Sequence, residues 1–357
     1  MAAVLTGAMD ILYENSVSAI EGLQARFHQQ SDVFFMVSNV FDPRYAFLFY
    51  SPFFLSLDWT VGKKIMWVTV VAEWLNQMLK WALHGERPYW WIHETQVYNK
   101  TGVTTPDIQQ YFMTCETGPG SPSGHSMVTA AVFYVILDSY LKKFGFVKKN
   151  STNLIAKFVW LVYLAMLAIV GASRIFIAAH FPHQCFLGMA VGWLVALGLD
   201  DINQKKTNTL RYCAITAGML ASALSMYSFL KAIGVDPMWS VSRAIKWCAK
   251  PEYVHLDTSP FFSMMRYCGF MFGMGFGFNS ESFRRFSSNK VPLTMRIICA
   301  VLSVGVCKVS EKISFPKDNM TLFYIESFAL NAVLAYAMIA VVPNVVSNLF
   351  PSKHKKN

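Results

Sequence analysis

Nine long apolar stretches constrain the fold of this chain more than any other feature of its sequence. They cover 33–54, 61–82, 124–141, 155–173, 182–199, 210–231, 260–279, 293–310 and 321–343. Each has about the 17–25 residues that an α-helix needs to cross a bilayer. Only 15% of the residues are charged, whereas soluble domains carry about 25%. The sequence therefore predicts one all-α domain, 1–357, built as a polytopic bundle of about nine transmembrane helices.

The first stretch is the weakest, because Asp42-Pro43-Arg44 interrupts it. A charged side chain inside a span is unfavourable, and it usually faces a water-filled cavity or a functional site. Asp42 and Arg44 therefore suggest either a functional site or a water-filled cavity here.

Lysine and arginine are unevenly distributed among the predicted loops. Most of them fall in alternate connections, which include the 142–149 loop and the tail 344–357. Cytoplasmic loops of membrane proteins are rich in these residues. The tail is therefore expected in the cytosol, and the amino-terminal segment 1–32 on the opposite side. The net charge of +10 is attributed to these cytoplasmic loops. Nucleic-acid binding is not predicted, because no basic stretch is long enough for it.

Three motifs fall on the predicted non-cytosolic side of the bundle. Lys80 precedes Arg87-Pro88 at the end of the second span. Pro122-Ser123-Gly124-His125 opens the third span, and Ser173-Arg174 precedes His180 between the fourth and fifth. The predicted topology therefore brings all three motifs to one membrane face.

The residue types in these motifs suit a phosphate group. Arg87 and Arg174 have planar guanidinium groups that can each bind two oxygens, and Lys80 adds a single positive charge. His125 and His180 stand at the amino ends of spans, where the helix dipole attracts anions. Imidazoles titrate near neutral pH, so one can attack phosphorus while the other donates a proton. No Asp/Glu cluster predicts a metal, and no cofactor is expected.

The order K-x6-RP, PSGH and SR-x5-H resembles the type 2 phosphatidic acid phosphatase superfamily. Longer segments resemble the glucose-6-phosphatase catalytic subunit family, and the resemblance covers nearly the whole chain. These segments are EWLNQMLKWALHGERPYWW, TCETGPGSPSGHSM, SRIFIAAHFPHQ and WCAKPEYVHLDTSPF.

This resemblance implies a role for each motif residue. His180 would be the nucleophile that forms a phosphohistidine, and His125 would donate the proton to the sugar oxygen. The residues implied in phosphate binding are Lys80, Arg87, Ser123, Gly124, Ser173 and Arg174. Many superfamily members place an aspartate four residues after the nucleophile, where this chain has Gln184. The nucleophile is then either less basic than in those relatives or oriented by another group.

The resemblance also implies an activity and a location. The activity is hydrolysis of glucose 6-phosphate in the lumen of the endoplasmic reticulum, the end step of gluconeogenesis and glycogenolysis, with the glucose-6-phosphate transporter as functional partner. The last five residues, 353–357, resemble a cytosolic dilysine retrieval signal. The alternatives are a lipid phosphate phosphatase, whose site opens to membrane lipid, and a channel or transporter. The long polar loop 84–122 favours a soluble substrate.

Weaker signals add further hypotheses. Asp42 and Glu116 are proposed to accept hydrogen bonds from sugar hydroxyls. The aromatic run 89–91 is typical of an interfacial belt, with a wall against the sugar ring as the alternative. His183 is expected to be structural rather than a second catalytic group.

Two predictions concern the non-cytosolic loops. Cys115 and Cys248 both lie there, where an oxidising lumen would allow them to pair. Asn99 begins the sequon Asn-Lys-Thr and is the expected glycosylation site.

Overall fold

The protein is almost entirely helical. The computed structural model describes residues 2–99, 104–148, 151–200, 207–288, 291–313, 315, 316 and 319–350. Within these ranges the α-helices are α1 (Ala2–Phe27), α2 (Ser31–Val40), α3 (Pro43–Tyr45), α4 (Ser51–Leu57), α5 (Trp59–Leu83), α6 (Pro88–Glu94), α7 (Gly124–Lys143), α8 (Leu154–Phe176), α9 (Pro182–Leu199), α10 (Thr209–Ala232), α11 (Trp239–Trp247), α12 (Pro260–Asn279), α13 (Glu281–Ser288), α14 (Leu293–Ser310), α15 (Met320–Tyr336) and α16 (Val342–Leu349). Two short strands, β1 (Val147–Lys148) and β2 (Ser151–Thr152), pair antiparallel between α7 and α8.

The predicted first span, 33–54, is not one continuous helix. α2 ends at Val40, and the Asp42 side chain then caps α3 by accepting a hydrogen bond from the Arg44 backbone N–H. Pro43 occupies the first turn of α3, a position where its missing N–H is tolerated. A π-helical turn, Ala46–Tyr50, leads into α4. This break leaves the Asp42 side chain at the wall of a cavity.

Five helices of the described chain are long and apolar enough to cross a membrane. They are Leu154–Phe176, Pro182–Leu199, Thr209–Ala232, Leu293–Ser310 and the continuous segment Met320–Leu349. The predicted spans 61–82, 124–141 and 260–279 coincide with α5, α7 and α12, which are not among the five.

These three helices are the polar centre of the bundle. α5 packs against α7 and α12, while α9 covers α7 and α15 covers α12. α5 buries charged and amide side chains, among them Glu73, Gln77 and Lys80. Outer helices such as α8 and α14 instead expose leucine, isoleucine and valine. Polar side chains at membrane depth are tolerated where protein shields them from lipid, so this layering suits a bilayer.

Close packing of α7 against α9 brings their amino ends together. A Cβ atom at Gly188 would lie 2.6 Å from the Ser123 carbonyl oxygen, and one at Gly192 would collide with the Met127 carbonyl. Small residues permit this close approach between helices. The carboxyl end of α5 and that of α8 reach the same place, so all three sequence motifs meet at one end of the bundle.

Ion pairs hold the opposite end of the bundle. Lys64 and Lys142 both contact Asp200, at 2.7 and 2.9 Å, and Lys143 contacts Asp58 at 2.5 Å. These residues join the amino end of α5 to the carboxyl ends of α7 and α9. The lysine-rich connections therefore lie at the far end of the bundle from the three motifs.

The amino-terminal helix α1 packs on the motif end. The Tyr13 ring lies 5.2 Å from Trp91 and 4.5 Å from Phe181, centroid to centroid. The Gln24 amide donates to the Phe176 carbonyl oxygen at 2.7 Å. The Asn99 sequon continues into residues 100 and 101, and the dilysine-like signal occupies 353–357, both outside the described residues.

Candidate active site

Arg87 is fully buried and anchors the site. Its Nε donates to the Gly118 carbonyl at 2.7 Å, Nη1 to the Ala179 carbonyl at 2.9 Å, and Nη2 to the Pro119 carbonyl at 3.2 Å. Nη2 also donates to Glu116 Oε2 at 2.9 Å. These acceptors fix the guanidinium plane, which a lysine with its single charged nitrogen would not match.

His180 lies between α8 and α9, with one ring nitrogen held and the other free to react. Nδ1 is 2.7 Å from the Gly120 carbonyl oxygen, which only accepts, so Nδ1 carries the proton. Nε2 therefore holds a lone pair, and it accepts from Arg87 Nη1 at 3.4 Å. Burial, then the Arg87 charge, hold the pKa of His180 well below its ordinary value. The ring is thus neutral and nucleophilic at neutral pH.

Gln184 supports His180 from behind. Its Oε1 lies 3.3 Å from His180 Nδ1 and also accepts from the Phe181 backbone N–H at 3.1 Å. Its Nε2 donates to the Glu86 carbonyl at 2.7 Å. The shorter contact of Nδ1 is with Gly120, so a backbone carbonyl is the main group that orients the His180 ring. The Nδ1 side of the His180 ring therefore faces two neutral acceptors.

Arg174, at the end of α8, is held by a chain of hydroxyl groups. Its Nη1 donates to Ser38 Oγ at 2.9 Å, and Ser38 Oγ lies 3.4 Å from Ser173 Oγ. Ser173 in turn donates to the Val170 carbonyl at 2.7 Å. Arg174 Nη2 contacts Glu116 Oε1. Ser38 lies on α2, far from the motifs in sequence, and the sequence pattern gave no sign of it.

The amino end of α7 carries the second histidine. Ser123 is the N-cap, and its hydroxyl accepts from the Ser126 backbone N–H at 3.5 Å, while its own N–H donates to the Gln184 carbonyl at 3.0 Å. Gly124 and His125 follow as the first helical residues. His125 Nδ1 lies 4.0 Å from Glu116 Oε1, and its Nε2 has no hydrogen-bond partner among the described residues.

Lys80 approaches the same place from the carboxyl end of α5. It is 4% exposed, and a Cβ atom built on Gly118 would lie 3.4 Å from its Nζ. Gly118 is also the residue whose carbonyl binds Arg87. Lys80 therefore adds a third cation beside the two arginines, although α5 ends at Leu83 and Arg87 is not on the same helix.

Glu116 stands at the point on which these groups converge. Its carboxylate pairs with both Arg87 and Arg174, and it lies 3.8 Å from His180 Nε2. Burial raises the pKa of Glu116, but Arg174 and Arg87 outweigh it and hold that pKa well below its usual range. Glu116 is thus an ionised carboxylate between two arginines and two histidines.

The segment that carries Glu116 is clamped on both sides. A disulfide joins Cys115 to Cys248, which places the two cysteines together as the loop prediction allowed. The His255 backbone N–H donates to the Cys115 carbonyl at 3.0 Å, and the Tyr89 hydroxyl donates to the Glu116 carbonyl at 3.0 Å. The 248–255 stretch therefore fixes the backbone on which the carboxylate is mounted.

A cavity of about 380 Å³ opens beside Glu116. Lys80, His125 and Arg174 line it, together with Asp42 and residues of α5 and α12. Asp42 is already engaged, because Arg44 donates from both its backbone and its guanidinium to the Asp42 carboxylate. Ligand sites commonly have volumes of roughly 300–1,000 Å³.

The aromatic run 89–91 is neither an interfacial belt nor a lining of this cavity. Tyr89 and Trp90 are fully buried, and Trp91 is 4% exposed. Trp91 packs on Tyr13 and Phe181. The side chains of residues 89–91 do not line the cavity. They form a core beneath the site, because α1 covers them.

His183 lies outside the cavity as well. Its ring stacks on Phe181 at a centroid distance of 5.8 Å and packs on Tyr13 at 5.4 Å. This placement agrees with the structural role expected of His183. No group of three or more His, Cys, Asp or Glu side chains within the described ranges is arranged to hold a metal ion.

Comparison with known proteins gives consistent matches. The family model described as PAP2 superfamily matches residues 62–207, which contain all three motifs. Glucose-6-phosphatase catalytic subunit 1 of Rattus norvegicus is 38% identical over 98% of this chain and 99% of its own length. Glucose-6-phosphatase 2 of Homo sapiens is 37% identical over 98% of this chain and 100% of its own length. No solved structure matches the chain.

Proposed function

Because the chain belongs to the glucose-6-phosphatase catalytic subunit family, we propose that it hydrolyses glucose 6-phosphate to glucose and inorganic phosphate. The observation that carries the proposal is the convergence of two buried arginines, two histidines and Lys80 around a single carboxylate. Two guanidinium groups, one ammonium group and a pair of imidazoles together suit a phosphate monoester dianion.

The nucleophile in this mechanism is His180. Its Nε2 lone pair attacks phosphorus, a P–N bond forms, and the bond from phosphorus to the sugar oxygen breaks. His125 gives its proton to that oxygen, so glucose leaves as an alcohol. The Gly120 carbonyl keeps the proton on Nδ1 and so stabilises the positive charge that the ring gains.

The second step reverses the role of His125. Now neutral, it takes a proton from water as the water attacks the phosphohistidine. The P–N bond breaks, inorganic phosphate leaves and His180 is regenerated. Arg87 and Arg174 hold the phosphate oxygens in both steps, and Lys80 offsets the charge that builds on them.

The Glu116 carboxylate occupies the place that the phosphate needs. It bridges the same two arginines and lies within 4.0 Å of both histidines. The incoming dianion displaces the carboxylate from the two guanidinium groups. In the empty site, the Glu116 carboxylate therefore compensates the charge of two buried cations that would otherwise be uncompensated. A contact between the displaced Glu116 and a sugar hydroxyl remains part of the proposal.

The rival function is hydrolysis of lipid phosphates by the same superfamily chemistry. A lipid substrate needs an apolar lining for its acyl chains, whereas carboxylates, amides and guanidinium groups share the lining of this cavity with Phe35, Met36, Phe112 and Met113. The polar part of the lining favours a soluble sugar phosphate.

The cellular setting completes the proposal. The single domain would span the endoplasmic reticulum membrane about nine times, with the site in the lumen and the tail 344–357 in the cytosol. A disulfide beside the site supports an oxidising compartment. Glucose 6-phosphate would then reach the lumen through the glucose-6-phosphate transporter, and Asn99 would carry a glycan.

Hydrolysis by purified protein tests the function directly. Wild-type protein should release phosphate from glucose 6-phosphate much faster than from a lysophospholipid phosphate, and rapid denaturation at neutral or alkaline pH should trap labelled phosphate on His180. His180→Ala should lose both signals. His183→Ala is the matched control, since His183 is three residues away and its ring packs on Phe181 and Tyr13. Full hydrolysis by His180→Ala, or a preference for the lipid substrate, would refute the proposal.

A further inference from the structure

One face of α5 carries a row of polar side chains into the cavity. Glu73, Asn76, Gln77 and Lys80 all line it. Their spacing is i, i+3, i+4 and i+7, which places them on the same side of a helix. All four are nine-tenths or more buried. Such a row inside a bundle of otherwise apolar helices is unfavourable unless a ligand uses it.

Three oxygens in this row lack hydrogen-bond partners among the described residues. They are Glu73 Oε1, Asn76 Oδ1 and Gln77 Oε1. A buried acceptor left without a donor destabilises a protein. Three such acceptors on one wall of one cavity are therefore more than packing alone explains.

The orientation of the Asn76 amide follows from its neighbour. Its Nδ2 donates to the Pro122 carbonyl at 3.1 Å, and a carbonyl can only accept. The amide oxygen must then face away from Pro122, and it lies 3.4 Å from the position of a Cβ atom built on Gly124. The unpaired oxygen is thus placed beside the amino end of α7, next to His125.

We infer that this row of oxygens is the subsite for the sugar ring, with hydroxyl groups as the donors that it lacks. The inference rests on the proposed function and identifies the part of the cavity that recognises a polyhydroxylated leaving group. Lys80 lies at the phosphate end, and seven residues of helix separate it from Glu73, a rise of about 10 Å. Asn76 and Gln77 therefore face the middle of the substrate, and Glu73 faces the ring atoms farthest from the phosphate.

The chemistry of the row predicts which contact matters most. Hydrogen bonds to a carboxylate are stronger than those to an amide oxygen. Loss of the Glu73 oxygen should therefore reduce recognition more than loss of the Gln77 oxygen. Arg266 and Tyr267 of α12 also line the cavity, and the Arg266 guanidinium donates to the Tyr267 hydroxyl at 3.4 Å.

The test compares a sugar phosphate with a phosphate monoester that has no hydroxyl groups. Full-length Glu73→Leu and Gln77→Leu are assayed on glucose 6-phosphate and on p-nitrophenyl phosphate. The ratio of the two kcat/KM values should fall about 10–100-fold in Glu73→Leu and about 3–10-fold in Gln77→Leu. Thr69→Val is the matched control, because Thr69 is buried one turn earlier on α5 and bonds its own helix at the Ile65 carbonyl.

Each outcome decides the inference. A lower ratio in the two leucine variants, with the ratio of Thr69→Val unchanged, supports a sugar subsite. An unchanged ratio, or equal losses on both substrates, overturns it. If Glu73→Leu fails to fold, the Gln77→Leu ratio still decides, since Gln77 Oε1 has no partner to lose. A wild-type protein that hydrolyses p-nitrophenyl phosphate but not glucose 6-phosphate would instead refute the proposed function.

Discussion

Replacing Glu116 with glutamine tests whether its carboxylate stands where the substrate's phosphate binds. Glutamine has nearly the same shape but no charge, so it holds Arg87 and Arg174 less strongly. Less free energy is then needed for an anion to displace this side chain from the two arginines. We expect inorganic phosphate and vanadate to inhibit Glu116→Gln at lower concentrations than they inhibit the wild-type protein.

The size of the effect follows from the two contacts. A hydrogen bond to a charged group contributes about 1.5–3 kcal/mol. The glutamine amide keeps one acceptor oxygen, but its NH2 group cannot accept from the other arginine. One of the two contacts is therefore lost, which lowers the free energy of displacement by about 2–3 kcal/mol. This corresponds to roughly 30- to 150-fold tighter binding of phosphate, since 1.4 kcal/mol is a factor of ten.

The empty variant should also be less stable, because its arginines lose their compensating charge. Removing one partner of a buried pair destabilises a protein by about 3–5 kcal/mol. Phosphate should therefore raise the melting temperature of Glu116→Gln more than that of the wild type. The two measurements are competitive inhibition of hydrolysis and thermal unfolding with and without phosphate.

Glu86→Gln provides the matched control. Glu86 also pairs with an arginine, Arg243, but it lies outside the cavity. The Glu86→Gln substitution should leave the phosphate concentration needed for inhibition unchanged. If Glu116→Gln bound phosphate no more tightly than the wild type, its carboxylate would not occupy the phosphate position, and the reasoning would fail.

Three further predictions concern groups behind the site. Gln184→Glu adds negative charge beside His180 and should raise the depressed pKa of that ring. Only the unprotonated ring attacks, so kcat/KM should begin to fall about one pH unit higher than in the wild type as the pH is lowered. Assays of kcat/KM between pH 5 and 8 measure this shift. Cys115→Ser should lower the free energy of unfolding by about 2–5 kcal/mol, and reductant should make the wild type match it in thermal unfolding. Ser38→Ala leaves an Arg174 N–H unpaired and should lower kcat/KM about 5–10-fold in steady-state assays.

Much of the architecture could be predicted from the sequence, because hydropathy and loop charge are local signals. The spans over 155–173, 182–199, 210–231, 293–310 and 321–343 correspond to helices that are apolar enough to cross a membrane. The meeting of Lys80, Arg87, His125 and His180 also followed from topology, since alternate span ends share one face. The span 33–54 was wrong as a single helix, because Asp42 and Pro43 start a new helical turn there.

The missing parts of the site depend on tertiary contacts that no local pattern encodes. The Gly120 carbonyl orients His180, and Ser38 on α2 supports Arg174 across more than a hundred residues. Glu116 was expected near the sugar, whereas it lies between the arginines. One missed signal was local: Glu73 and Gln77 share the helical face of Lys80, and that spacing could have been read from the sequence.

The formal charges of the site explain why a dianion fits it. With Glu73 ionised and both histidines neutral, Arg87 and the charged residues that line the cavity comprise five cations and three carboxylates, which leaves two positive charges. A phosphate monoester dianion neutralises this excess while every protein charge stays in place. Glu116 therefore needs only to move aside and not to leave, and the same carboxylate that stabilises the empty site keeps the filled site from carrying one uncompensated positive charge. Because charge that is balanced inside a buried cavity is far less unfavourable than charge that is not, the site favours a dianion over a monoanion of similar size.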